Sequence, residues 1–293
     1  MSRILILAAF SFVGGCGVTD DAADTEQAVT IENGISLNGI SLNGISLNGI
    51  SLNGISLNGV SVNGTPISIA VTGPPLVGAG LVGSRWTGHV TSGTTVPLRI
   101  DAAQQGSGPN SDVWSYEISA LVDHRWQPLC RDHTGHPLFA DTVRGSWNLG
   151  AGVPGGGSYN PRTSDFTIAC RGSSIAKCVE LGYKPWNGDI RELAACVRAL
   201  RGDYCGDGTP YTVDGAIVNI YDDDGIQPDG IPWTPEAEWT PDGATCVSTA
   251  KATRFSQDAH MTPRCFPHTL KPRRSCGTKF HRGIEIITEL PPR

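Results

Sequence analysis

The chain has 293 residues, 39% of them hydrophobic, and a formal net charge of −6. This length suits one sizeable domain or two small ones. The negative charge argues against a nucleic-acid partner, because proteins that bind nucleic acids carry clustered positive charge.

The N-terminal residues have the pattern of an export signal. Met1-Ser2-Arg3 supplies a positive charge, and a mainly apolar run follows at residues 4–13. This run is too short to span a membrane but suits a secretory signal. The segment Val13-Gly14-Gly15-Cys16 resembles the lipobox of bacterial lipoproteins, and the resemblance implies diacylglycerol on the Cys16 sulfur, with palmitate as a typical acyl chain. The alternative is an ordinary signal peptide cut nearby, which would leave Cys16 as a free thiol.

Residues 1–15 are therefore predicted to be a lipoprotein signal peptide, and residues 16–32 a flexible acidic leader. Gly17 rather than Asp follows the cysteine, so no inner-membrane retention signal is visible. We expect the outer membrane, on either its periplasmic face or the cell surface. No other stretch of the sequence is long and apolar enough to cross a bilayer.

Residues 33–64 repeat the word Ile-Ser-Leu-Asn-Gly and contain no charged residue. An odd repeat places successive triads on opposite faces of a straight strand, so the chain must bend once per repeat to keep Ile and Leu together. Asn-Gly permits such a bend, because both residues tolerate positive φ. The pattern resembles the pentapeptide-repeat β-helix and predicts a short β-coil that docks on the next domain, pairs with another chain or remains a loose spacer. Intermolecular β-stacking is a further interpretation.

Residues 65–82 are rich in Gly and Pro and are predicted to form a joint, in which residues 67–71 could be a first strand. Beyond this joint the hydrophobic period changes to two, which is typical of β-strands. The glycine-rich segment 150–160 is predicted to be a loop. Strands are predicted at residues 85–90, 96–100, 113–122, 126–129 and 166–170.

Two helices follow these strands. Ser174 can cap a helix over residues 175–181. Asp189 and Glu192 have the spacing of a capping box for a helix over residues 190–201. The apolar residues of the second helix recur at intervals that place them on one face.

Residues 216–221 are predicted to form another strand, and the remainder of the chain to be loops pinned by cysteines. The expected fold class is α+β, with a β-rich, disulfide-stabilised head domain over residues 83–293 that contains two short helices. The pentad-repeat β-coil or spacer precedes this head.

Eight cysteines remain when Cys16 is set aside, and all lie in the head. An even number of cysteines in an exported protein predicts four disulfides, although the sequence leaves the pairing open among 105 possibilities. No CxxC pair is present, so metal binding by these cysteines has less support. The candidates are Cys130, Cys170, Cys178, Cys196, Cys205, Cys246, Cys265 and Cys276.

Acidic and basic residues are unevenly distributed in the last third of the chain. Residues 202–250 contain ten acidic residues and no Lys or Arg, whereas residues 251–282 contain eight Lys and Arg. The two segments are predicted either to face each other within one domain or to form separate surfaces, the acidic one for cations and the basic one for anionic lipid or polysaccharide.

An acidic turn offers oxygen ligands of the kind that calcium prefers. Asp222, Asp223 and Asp224 precede Gly225, and Asp229 lies further on. The segment lacks the full EF-hand spacing and its closing Glu. It is predicted to be either an exposed acidic turn or a calcium site, and no other cofactor is implied.

A second group of candidate ligands is Cys130 with Asp132, His133 and His136. Zinc sites use these residue types. Gly135 and Pro137 favour a turn here rather than a helical zinc-binding face. The sequence lacks a GxSxG, P-loop or dinucleotide motif, so an envelope hydrolase would have to use an unrecognised Asp/His/Cys set such as Asp132, His133 and His136.

The words around several cysteines resemble one known family. The stretch Cys196-Val-Arg-Ala-Leu-Arg-Gly-Asp-Tyr-Cys205-Gly-Asp-Gly is similar to the signature of the ADYC domain family, found chiefly in myxobacterial lipoproteins. The words around Cys130, Cys170 and Cys178 support the resemblance. Gly202 stands where the family has Ala, at a predicted left-handed helix C-cap where Gly is well tolerated. The family has no established activity, so the resemblance implies context and not mechanism.

These observations predict a cell-envelope lipoprotein with a structural or binding role and no catalytic residues. Its expected partners are the membrane, through the lipid on Cys16, and an envelope protein or polysaccharide. The alternative is an envelope hydrolase or metal-dependent enzyme that uses an unrecognised Asp/His/Cys set, such as Asp132, His133 and His136.

Overall fold

The computed structural model describes residues 57–58, 60–62, 65–66, 69–73, 75–90, 95–132, 134–213, 216–230, 232–249, 253–257 and 261–292. The predicted signal peptide, Cys16, the leader and most of the pentad repeat lie outside these residues.

The described residues form sixteen strands and three α-helices. The helices are α1 (Ser174–Glu180), α2 (Ile190–Arg201) and α3 (Arg254–Gln257). The strands are β1 (Ser61–Val62), β2 (Thr65–Pro66), β3 (Ile69–Thr72), β4 (Arg85–Val90), β5 (Thr95–Gln105), β6 (Trp114–Val122), β7 (Arg125–Pro128), β8 (Ala140–Arg144), β9 (Ser146–Trp147), β10 (Tyr159–Asn160), β11 (Asp165–Cys170), β12 (Asn219–Asp222), β13 (Thr234–Thr240), β14 (Gly243–Ser248), β15 (Lys271–Arg273) and β16 (Ile286–Leu290).

Six antiparallel strands close into a barrel in the order β3-β4-β5-β6-β8-β11, since β11 pairs back with β3. A register shift in β5 between Ile100 and Ala102 helps the sheet to curve. The alternating apolar residues of the strands point inward and are buried, among them Leu98 and Phe166. Leu98, Phe166 and six other side chains surround a space of only about 10 Å³, so this part of the barrel interior is packed.

The second half of the head is a five-stranded sheet in the order β12-β16-β13-β14-β15. Helix α2 packs on β13, β14 and β16, and α1 lies between α2 and barrel strand β11. Every residue of α1 is buried, as expected for a helix that is enclosed on both sides.

The predicted α+β class and the disulfide-stabilised, β-rich head are confirmed. The predicted strands correspond to β4, β5, β6, β7, β11 and β12, and β3 lies in the segment that was predicted to be a joint. Helix α2 has its predicted bounds, whereas Ser173 rather than Ser174 precedes α1. The capping box is wrong for Asp189, because its carboxylate accepts a hydrogen bond from the Lys184 backbone N–H at 3.1 Å and does not cap α2.

The prediction that loops follow residue 221 is wrong, since β13 to β16 form most of the second sheet. Glu236 and Glu238 lie in β13 and are 0% and 4% exposed. Charged residues at buried positions interrupt the apolar pattern by which a strand is recognised. The periodicity of this segment therefore does not reveal the sheet.

Among the described residues, no helix combines the length and the hydropathy needed to cross a membrane.

Candidate functional site

The signature motif, and in particular Gly202-Asp203-Tyr204-Cys205, lies at the C-terminus of α2, between the helix and the second sheet. Gly202 adopts φ 60° and ψ 34°, which is the left-handed conformation predicted for a C-cap. Its N–H donates to the Ala199 carbonyl at 3.1 Å. The chain turns sharply at this glycine, and the next three side chains enter three different parts of the head.

Asp203 is 1% exposed and organises the turn that follows it. Its carboxylate accepts hydrogen bonds from the backbone N–H groups of Asp207 at 3.1 Å and Gly208 at 2.9 Å. The Arg198 guanidinium forms a buried ion pair with the same carboxylate. Burial raises the pKa of Asp203, and Arg198 opposes that shift. All these donors favour a charged, fully engaged carboxylate.

Arg198 also fixes the glycine-rich loop that the sequence predicted. Its guanidinium donates to the Gly156 carbonyl and, at 2.9 Å, to the Pro241 carbonyl. A Cβ on Gly156 would lie 1.8 Å from the Gly150 carbonyl oxygen, so only glycine fits there. The loop is therefore a packed part of the head.

Tyr204 is 1% exposed and donates its hydroxyl to Glu236 Oε1 at 2.5 Å. Burial and the Glu236 carboxylate raise the pKa of Tyr204 well above its usual value, so the phenol remains a proton donor. Arg254 Nε lies 3.0 Å from Glu236 Oε1, and the Thr288 hydroxyl donates to Glu236 Oε2 at 2.8 Å. The Trp239 indole N–H donates in turn to the Thr288 hydroxyl at 2.8 Å.

Arg254 extends this network to the end of α2. Its Nη2 donates to the Ala199 carbonyl at 2.7 Å and its Nη1 to the Leu200 carbonyl at 3.2 Å. A cation at a helix C-terminus is stabilised by the helix dipole and satisfies carbonyls that lack intrahelical partners.

The eight cysteines of the head form four disulfides, which confirms the prediction and settles the pairing that the sequence left open. Cys205 of the signature is joined to Cys265. Cys178 and Cys196 join α1 to α2. The remaining pairs are Cys130–Cys170 and Cys246–Cys276.

The signature is thus a structural junction. Asp203 holds a turn, Tyr204 belongs to a buried network, and Cys205 is covalently bound to Cys265. Each of these side chains is engaged inside the head, so none presents a reactive group to a ligand.

Replacing Gly202 with alanine is expected to lower the free energy of unfolding by about 1–2 kcal/mol, the cost of a left-handed conformation for an L-residue. The new Cβ would also lie 3.0 Å from the Tyr211 carbonyl oxygen. Urea unfolding measures the change. Gly80→Ala is the matched control, since its Cβ would contact nothing within 4 Å and its φ is not positive. A Gly202→Ala variant as stable as the control would contradict the prediction.

The acidic and basic segments face each other, as one of the two interpretations predicted. Arg254 pairs with buried Glu236, and Arg264 Nη2 lies 2.5 Å from Asp207 Oδ2. The basic residues thus neutralise part of the acidic segment inside one fold.

The predicted calcium ligands differ in their exposure to solvent. Asp222 is 7% exposed, and its Oδ2 accepts hydrogen bonds from the Tyr183 hydroxyl at 2.9 Å and the Gln227 N–H at 2.6 Å. Its Oδ1 accepts the Ile226 N–H at 3.0 Å, so Asp222 closes its own turn. Asp223, Asp224 and Asp229 are exposed. The Asn219 side-chain amide donates to Asp229 Oδ1 at 3.4 Å. Calcium binding stays a prediction.

A surface cleft of 280 Å³ lies beside this turn. Asp223 and Asp224 form one wall, and residues 280–285 form the other. The second wall includes Arg282 and Glu285, and Arg191 pairs with Glu285 at 2.6 Å. The cleft is lined by both signs of charge and suits a polar ligand better than an apolar one.

The predicted zinc or hydrolase group lies on a surface turn. Asp132 Oδ1 accepts hydrogen bonds from the backbone N–H groups of Thr134 and His136, both at 2.8 Å. The Thr134 hydroxyl lies 2.6 Å from both Asp132 Oδ1 and His136 Nδ1. The Thr134 hydroxyl contributes most to holding the pKa of Asp132 at about 2. His133 lies outside the described residues, and Cys130 is oxidised.

Within the described ranges, one group of three potential ligands lies close enough together to hold a metal: Glu238, Cys246 and Cys276. The two cysteines are joined by a disulfide, so their sulfurs are not thiolate ligands.

Two carboxylates are buried between the barrel and α1. Asp141 Oδ1 accepts a hydrogen bond from the Ser115 hydroxyl at 2.6 Å, and Glu180 Oε1 accepts one from Arg171 Nε at 2.8 Å. Burial and the charge of Glu180 raise the pKa of Asp141 to about 7, while Ser115 and Arg171 oppose the shift. Burial also raises the pKa of Glu180.

The stability of the head is expected to fall as pH rises from about 4 to about 7, because folded Asp141 holds its proton more tightly than the unfolded chain, where its pKa is near 3.8. This contribution is complete below pH 3.8 and is lost as pH rises through 7. Asp141→Asn should flatten the decline, and melting temperatures from pH 4 to pH 8 measure it. Glu117→Gln on strand β6, which removes a carboxylate that is not fully buried, is the control. An unchanged slope in Asp141→Asn would refute the assignment.

Several important residues escaped the sequence analysis. Arg198, Glu236 and Arg254 join segments that are far apart in the chain. A partial signal exists for Arg198, which is a charged residue in a helix that is buried over most of its length. The pairing of Glu236 with Arg254 has no local signal, since it depends on the packing of β13 against α3.

Comparison with protein families identifies a family for this chain. The model of the ADYC domain matches residues 78–253, which is more than half of the chain. The match ends before Cys265 and Cys276, the disulfide partners of Cys205 and Cys246. Comparisons with the curated proteins and with the solved structures gave no match.

Proposed function

This chain belongs to the ADYC domain family, and from that premise we propose that it is a cell-envelope lipoprotein with a non-catalytic structural or binding role. It is exported, a lipid on Cys16 holds it to the outer membrane, and its head engages an envelope protein or polysaccharide.

One observation carries the non-catalytic role. The polar side chains of the signature, together with Arg198, Glu236 and Arg254, bond to one another or to the backbone inside the head. A closed network of this kind rigidifies a domain, whereas a catalytic group must reach a substrate. The signature therefore supports a rigid scaffold for a binding surface.

The four disulfides support export. Disulfides persist in oxidising compartments and are rare in the cytosol. One bridge lies at the barrel, one joins the two longer helices, and two lie in the part of the head that follows α2. The lipobox resemblance at Cys16 adds the membrane anchor, and the cleft beside Asp223 and Asp224 offers a polar binding surface.

The experiment compares the wild type with Cys16→Ser in a bacterial host that processes lipoproteins. Wild-type protein should incorporate an alkyne analogue of palmitate and sediment with the outer membrane. The Cys16→Ser variant should incorporate none and should lose its stable membrane association, since acyl chains supply the anchor. Recovery of the wild type in the cytosol with free thiols would overturn the proposal.

A hydrolase remains the second candidate, favoured by the chain of hydrogen bonds from Asp132 through Thr134 to His136. His136 is exposed, so His136→Ala should change the free energy of unfolding by less than about 0.5 kcal/mol. Hydrolysis of ester, peptide or glycoside substrates by the wild type, lost in His136→Ala, would favour this candidate over the non-catalytic role. From the non-catalytic role we expect the wild type and His136→Ala to hydrolyse these substrates at the same background rate.

A further inference from the structure

The end of the pentad repeat is inserted into the head. Leu57 is 7% exposed and belongs to the buried cluster that contains Ile175 and Val179 of α1. Val60 is 1% exposed and belongs to the barrel core. One leucine and one valine of the repeat thus fill places in the two main cores of the domain.

The same unit also satisfies two buried backbone amides. The Cys170 N–H, at the end of β11, donates to the Asn58 carbonyl at 2.8 Å. The Ile175 N–H, in the first turn of α1, donates to the Leu57 carbonyl at 3.2 Å, and such an amide has no partner within its own helix. Cys170 and Ile175 are both 0% exposed, so an empty site would leave these amides unpaired in the interior.

The sequence contains four further units that are nearly identical to the inserted one. Leu57 and Val60 belong to the word Leu57-Asn58-Gly59-Val60, and the word Leu-Asn-Gly-Ile begins at Leu37, Leu42, Leu47 and Leu52. The two carbonyl acceptors belong to the main chain and are the same in every unit. The side chains differ only by the extra methylene of Ile at the Val60 position, which should disfavour an upstream unit by roughly tenfold in a packed core.

Exchange of one unit for the next should cost little free energy in the connecting chain. Moving the inserted word back by five residues lengthens the connection to β3 by five residues, and the entropy of closing a loop depends only weakly on its length. The displaced segment includes the two-residue strands β1 and β2, which pair only with each other. The barrel strands keep their register.

We propose that the groove between the end of β11 and the start of α1 is a binding site for the Leu-Asn-Gly unit, and that the upstream units of the same chain occupy it in turn. The length of chain between Cys16 and the head then changes in steps of five residues, each about 17 Å when extended. Upstream units are favoured over those of a second molecule because the covalent link gives them a high effective concentration. The inference stands whether or not Cys16 carries a lipid.

The test uses three variants of the full chain. The first is Leu57→Asp, which disables the inserted unit. The second carries Leu37→Asp, Leu42→Asp, Leu47→Asp and Leu52→Asp and keeps Leu57. The third combines all five substitutions. Hydrogen exchange at the amides of Cys170 and Ile175, followed by mass spectrometry of peptides from this region, reports whether the site is filled.

We expect Leu57→Asp and the fourfold variant to retain protection within about tenfold of the wild type, because a unit is available in each. The fivefold variant should exchange at least about 100-fold faster, since two amides and a core position lose their partners. Equal loss of protection in Leu57→Asp and the fivefold variant would overturn the proposal. A Leu57→Asp variant that is protected only as a dimer, by size-exclusion chromatography, would also overturn it in favour of exchange between molecules.

Discussion

Glu236→Leu is expected to lower the free energy of unfolding by about 4 kcal/mol, because it leaves the Arg254 guanidinium buried without its counter-charge. Arg254 is 1% exposed and Glu236 is 0% exposed, so water cannot replace the lost carboxylate. The Tyr204 and Thr288 hydroxyls lose the same acceptor. Thermal unfolding should show a decrease in melting temperature of roughly 10 °C.

Two further variants separate the lost charge from the lost contacts. Tyr204→Phe removes one donor and leaves the ion pair intact, so it should lower the free energy of unfolding by about 1–2 kcal/mol. Glu236→Gln keeps the shape and an acceptor oxygen but removes the charge, and its effect should fall between the other two. If Glu236→Leu melts at the wild-type temperature, the network does not stabilise the head.

Removal of the Cys205–Cys265 disulfide is expected to have an effect of similar size. The bridge spans 60 residues, and the loss of that cross-link should lower the free energy of unfolding by about 4 kcal/mol through the greater freedom of the unfolded chain. The Cys205→Ala/Cys265→Ala variant should also show a larger dependence on urea concentration, since its unfolded state is less compact. Urea unfolding under non-reducing conditions measures both quantities.

The single variants provide the internal control for this disulfide. Cys205→Ala and Cys265→Ala each break the same bridge, so each should lose nearly as much stability as the double variant. Two small losses that add up to the loss in the double variant would instead mean that the side chains matter only for packing. Loss of this bridge should destabilise the head strongly, because the bridge joins the turn after α2 to the segment that follows α3.

The buried junction at Asp203, Tyr204 and Cys205 explains how a short sequence motif can be the signature of a domain without forming an active site. Its three side chains connect α2 to a turn, to β13 and to the C-terminal segment. Such a junction fixes the relative positions of distant segments, and the surface around it remains available for binding. This arrangement agrees with the proposed structural or binding role.

The sequence by itself determined those features that depend on neighbouring residues. The period of two in residues 85–90 and 166–170 predicted strands, and the apolar spacing of residues 190–201 predicted α2. Gly202 was predicted as a left-handed cap because helix termination is a local property of the chain. The oxidised state of the cysteines also followed, since an even number of cysteines together with a predicted export signal favours disulfides.

Only the tertiary structure decided which distant residues meet. The disulfide pairing, the Glu236–Arg254 ion pair and the insertion of Leu57 beside α1 each join segments that are well separated in sequence. No periodicity encodes such contacts, because they arise when the barrel, the helices and the second sheet pack together. The buried charges of β13 show the reason most clearly. From the sequence alone a glutamate is expected at the surface, because its burial requires a partner such as Arg254, which a distant segment supplies.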